Sequence, residues 1–204
     1  VFGDWSSDVC SSDLDADARK AGPFYDALLA AYGEPHRAYH TLGHLAQMFA
    51  VLDKVALWDP AVEWATWYHD ACYRPGDRTN EERSAQMAQH AIASLGVDSA
   101  LGQRVTQLIE ATRAHEAPPG DTVQQLFLDA DLSILASPAE DYAVYACAIR
   151  EEHRHLPDVL YRRGRKAFLL DMLNRKSIFL SEEFRRRYEI QAQGNLAGEL
   201  EGFS

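Results

Sequence analysis

The sequence predicts an all-α protein. From Asp15 onward, apolar residues recur at three- and four-residue spacing almost throughout, and no useful length alternates apolar and polar residues as a half-buried strand does. Short turn-forming words separate the helical stretches. Nine helices are expected, at about 17–32, 40–56, 61–73, 80–95, 99–115, 122–135, 139–155, 159–174 and 182–200, forming a bundle with short connections.

Each boundary has a local cause. The first helix stops at "GEP" (33–35), and the second carries His40 and His44. "DP" (59–60) opens the third, "AVEWATWYHDACY", which is apolar almost all round and therefore buried. "RPGD" (74–77) ends it. Thr79 and Glu82 match a capping box at the start of the fourth. The fifth runs to "APPGD" (117–121), and "SP" (137–138) separates the sixth from the seventh. The last two follow without a repeat of fixed period.

A length of 204 residues with 47% hydrophobic content suits one domain, placed at 15–204. Residues 1–14 contain "SSDVCSSDL", which has no helix or strand period and is similar to a translated sequencing-library adapter. They are read as a non-native tail and set aside. No apolar run is long enough for a membrane span, no secretory signal is visible, and three widely spaced cysteines do not form a disulfide framework. A cytoplasmic protein is expected.

The net charge of −11 argues against general nucleic-acid binding. Residues 150–187 nevertheless hold eleven Lys/Arg against six Asp/Glu, a local +5. Most of these side chains are expected on a solvated surface, with a few available to an anionic substrate.

"YHTLGHL" (39–45) and "WYHDACY" (67–73) raise the question of a metal site. At about 100° per residue, His40, Met48, Val51 and Val55 fall within about 40° of His44, which places His44 on a core face. His69 shares a face with Val62, Ala65, Thr66 and Tyr73. Asp70, in the last turn, would lose hydration and face the negative end of the helix dipole. A metal ion would relieve both, and so would Arg74. Asp131 lies within about 60° of Phe127, Leu128, Ile134 and Leu135, whereas Asp129 lies about 160° away, toward solvent or a neighbouring helix.

The ordered words "RAYHTLGHL", "WYHDACY", "NEERSA", "ATRAH", "FLDADLSIL", "YRRGR" and a late "NL" resemble the HD-domain superfamily of metal-dependent phosphohydrolases, in its bacterial predicted-phosphohydrolase subgroup. The likeness covers roughly residues 17–200. It implies an HD-type helical bundle in which His44, His69, Asp70 and Asp131 bind one divalent metal. Such a mixed nitrogen and oxygen set suits Mn, Fe, Co, Ni or Zn, with Mg also in range. The implied reaction is attack of metal-bound water on a small phosphate ester, nucleotides among them. A non-catalytic metal- or ligand-binding regulatory module and an iron-dependent HD-type oxygenase are the alternatives.

Further residues join this expected site. Asp70 and Glu81 are the catalytic candidates. Glu81 lines up with Ala85, Ala88, Ile92 and Leu95, so it faces inward and could position water or accept a proton. His40 is read as a phosphate contact or a support for a ligand, and His115 as a phosphate contact or extra ligand unless it merely meets a helix dipole. Arg150 and Arg165 are the phosphate-contact candidates, because a guanidinium meets phosphate bidentately. His36 is expected outside. So is His90, about 180° from Glu81, which favours one metal over two.

Overall fold

The computed structural model describes residues 11–203. Among them are nine α-helices and no strand: α1 (Ser11–Tyr32), α2 (Leu42–Lys54), α3 (Pro60–Tyr68), α4 (Asn80–Ser94), α5 (Ser99–Ala111), α6 (Thr122–Asp131), α7 (Ala139–Glu152), α8 (Asp158–Asn174) and α9 (Glu182–Glu201), with a 3₁₀ turn (Leu132–Ala136) after α6. The all-α expectation holds. None of the helices is long and apolar enough to cross a membrane. Residues 1–10 of the segment read as foreign lie outside the described residues, while α1 takes in its last four.

Caps start several helices. Thr41, Asp59, Asp98, Asp121 and Ser181 each accept a backbone N–H in the first turn that follows. The capping box at Thr79 does not form. Asp77 instead accepts both the N–H and the hydroxyl of Thr79, at 2.9 and 2.7 Å, which takes up the groups the box would use.

α5 packs on both α3 and α4, α2 packs on α6, and α9 packs along α8 and the 3₁₀ turn. Met48, Ala65, Leu108, Ile109, Phe127, Leu128 and Leu196 are fully buried where these faces meet. Arg162, Arg163, Lys166, Arg185, Arg186 and Arg187 are exposed, as expected of a solvated basic face.

Several expected helices are too long, and four of the shortfalls shape the site. α3 stops at Tyr68 rather than 73, so His69 is its C-cap and Asp70 lies beyond it. Arg37 takes the carbonyls of Asp70 and Ala71, Ser84 takes the N–H of Cys72, and Asn80 takes that of Arg74. Tertiary partners thereby replace the helical ones. His40 precedes α2, and His115 follows α5 by four residues. α6 tightens into the 3₁₀ turn directly after Asp131.

Candidate metal centre

His44 is placed by the buried face of α2, and His69 by the end of α3. They are 3% and 1% exposed. Their Nε2 atoms face each other at 3.2 Å. Asp131, from the end of α6, brings Oδ1 to 3.1 Å from His44 Nε2 and 3.7 Å from His69 Nε2. Asp70 brings Oδ2 to 3.1 Å from His69 Nε2 and 3.9 Å from His44 Nε2.

These spacings suit a shared cation. Bonds of about 2.1 Å put neighbouring octahedral ligand atoms about 3 Å apart and opposed ones about 4.2 Å apart. The measured separations fall within that span. His44, His69 and Asp131 form a group that could hold a metal ion, their ligand atoms all within 4.8 Å of one another. Asp70 adjoins it through both histidines. His69 Nδ1 donates to the Thr66 carbonyl at 3.0 Å, which leaves Nε2 to face the cluster.

The electrostatics agree. Among the described residues, the ion pairs of Asp70 and Asp131 are all with histidines, and exposed Arg74 pairs with neither. Burial opposes charge on His69, but Asp70 and Asp131 outweigh it and raise its pKa to about 9. Burial lowers the pKa of His44. Burial would raise the carboxyl of Asp131, yet His115, His44 and His69 hold it well below the usual range, and His69 and His40 do the same for Asp70.

A cavity of about 250 Å³ opens over Asp70 and Asp131, and its walls include His40, Glu81, His115 and Arg165. His115 Nε2 is 3.0 Å from Asp131 Oδ2. Its backbone is left-handed, with φ +51°, a strained setting of the kind found at functional sites. Glu81 faces the cavity, but its carboxylate also meets Arg113 at 3.3 Å.

The two arginines read as phosphate contacts have partners within the protein. Arg165 reaches the wall, yet Glu199 grips its Nε and Nη2 at 2.8 and 2.9 Å, and Tyr145 accepts from its Nη1. Its fork is occupied and its charge matched. Arg150 does not line the cavity. It donates to the His153 carbonyl, lies 3.5 Å from Asp158 and covers the Tyr161 ring.

Asp129 lies away from the cluster, but not in solvent. It is fully buried, and its two oxygens accept the N–H groups of Leu180 and Ser181 at 2.7 and 2.8 Å, anchoring the turn before α9. His90 is exposed, as expected. His36 is half-buried instead, with Nε2 2.8 Å from the Tyr73 carbonyl.

Two supporting residues were not foreseen. Glu152 is 2% exposed. Its Oε1 accepts the N–H groups of Ala38, Tyr39 and His40 at 2.8–2.9 Å, and its Oε2 meets His40 Nδ1 and the Tyr73 hydroxyl at 2.7 and 2.8 Å. Burial opposes its charge, but these partners, His40 foremost, bring its pKa down to about 2. Helical phase could have found it, since Glu152 falls within about 60° of buried Tyr145 and Ile149. Arg37 bridges the carbonyls of His40, Asp70 and Ala71, tying the two histidine-bearing loops together. It sits in an irregular segment that carries no period to read.

No family model, curated protein or solved structure matches the chain.

Proposed function

We propose that the chain is a metal-dependent phosphohydrolase of the HD type, acting on a small phosphate ester. The observation that carries this reading is the convergence of His44, His69, Asp70 and Asp131 at octahedral-like spacings beside a small cavity whose walls carry His40, Glu81 and His115. These four residues would hold one divalent ion, drawn from Mn, Fe, Co, Ni, Zn or Mg. When bound, such an ion polarises a phosphoryl oxygen and lowers the pKa of coordinated water.

The remaining roles belong to the chain. His40, backed by Glu152 at Nδ1, presents its other edge to the cavity, where it meets a phosphate oxygen. His115 is aimed by its contact with Asp131 and meets a second oxygen. Glu81 accepts the proton lost by attacking water while Asp70 helps to orient that water, and the Arg113 contact holds the Glu81 carboxylate at the rim. Arg150 and Arg165 take no part. The cavity, at about 250 Å³, favours a compact substrate.

The test is phosphate release from a panel of small phosphate esters and nucleotides, with Mn, Co, Ni or Mg supplied in turn. Turnover of at least one compound is expected, with loss of at least about a hundredfold in Asp70→Ala, because removing one electrostatic group from such a site has that scale of effect. Metal-loaded protein that releases phosphate from none of the panel argues for a non-catalytic module.

A further inference from the structure

The Tyr39 hydroxyl is buried and has no hydrogen-bonding partner among the described residues. Other buried side-chain polar atoms there are paired, so this one calls for an explanation. A hydroxyl withdrawn from water without a partner is destabilising, and phenylalanine would fill the same space without that penalty.

Its surroundings identify the side it serves. The Tyr39 N–H is fixed by Glu152 at 2.8 Å. Its ring is held by Tyr145, His44 and His40, with centroids 4.7, 4.9 and 5.0 Å away. The residue lines the cavity above Asp70 and Asp131, and also a larger groove of about 550 Å³ that His44 lines too. A tyrosine hydroxyl is protonated at neutral pH, so it is available as a donor. For a donor on a residue that lines the cavity beside a candidate cation site, the fitting ligand is an oxyanion.

We propose that Tyr39 is a substrate-binding residue whose hydroxyl donates a hydrogen bond to an oxygen of the phosphoryl group bound beside the metal cluster. This rests on the metal-dependent reading above. The hydrogen bond is one that the ligand supplies. Tyr39 adds the neutral donor to the contacts made by His40 and His115.

Tyr39→Phe removes the hydroxyl alone. Calorimetric titration of inorganic phosphate into Mn-loaded protein is expected to show at least about tenfold weaker binding in Tyr39→Phe, the scale of a hydrogen bond to a charged acceptor. Manganese affinity should stay the same, and the melting temperature should hold or rise. Equal phosphate affinity in the two proteins overturns the proposal. So does wild-type protein that binds manganese but no phosphate, or a lowered melting temperature in Tyr39→Phe, which would mean that the hydroxyl is bonded within the protein. Wild-type protein that binds no metal at all removes the underlying reading and this inference with it. The manganese titration separates that failure from the others.

Discussion

Asp131→Asn is expected to yield folded protein without stoichiometric metal, and Asp129→Asn to yield metal-loaded protein that is less stable. The two residues are two positions apart in the last turn of α6, yet they face different sides of it. Asp131 Oδ1 faces His44 and His69, so its loss removes a charged ligand from the cluster. Asp129 instead ties down the turn before α9 through two backbone N–H groups. An asparagine there accepts one of them and opposes the other with its own NH₂, a loss of about 2–3 kcal/mol for buried donors. In a domain of this size that lowers the melting temperature by roughly 5–10 °C. Metal analysis and thermal melts of both variants check the pair. Metal lost from Asp129→Asn and kept by Asp131→Asn would reverse the assignment.

Glu152→Ala should have the largest effect on stability. It strands three backbone N–H groups of residues 38–40, removes the partner of the Tyr73 hydroxyl and leaves His40 unsupported. At about 1–3 kcal/mol for each buried unsatisfied group, partly relieved by water, the total is about 4–5 kcal/mol. The melting temperature should fall by roughly 10–20 °C. A fall below about 3 °C would show that the 38–40 segment does not depend on this carboxylate.

These expectations show what periodicity can and cannot reveal. The all-α class, the inward faces of His44 and Asp131, and the exposure of His90 follow from a 3.6-residue repeat, which holds wherever the chain is regular. Asp70, His40 and His115 were recognisable as candidates from their motifs, but their placement just outside helices was not. Their backbones are held by Arg37, Glu152 and a left-handed turn, all long-range or irregular features. Arg165 misled for a related reason. The sequence shows a guanidinium but not its partner, and Glu199 lies thirty-four residues further on. Asp129 was correctly turned away from Asp131, but its burial depended on a loop fifty residues distant that no local pattern announces.

The central claim is that one ion sits among His44, His69, Asp70 and Asp131. Anomalous diffraction from crystals grown with manganese tests it directly. One strong peak is predicted, about 2.0–2.3 Å from Nε2 of both histidines and from an oxygen of each aspartate, the range of ordinary metal–nitrogen and metal–oxygen bonds. No peak at that point in manganese-saturated crystals, or a peak whose ligands exclude His69 and Asp131, would contradict the account.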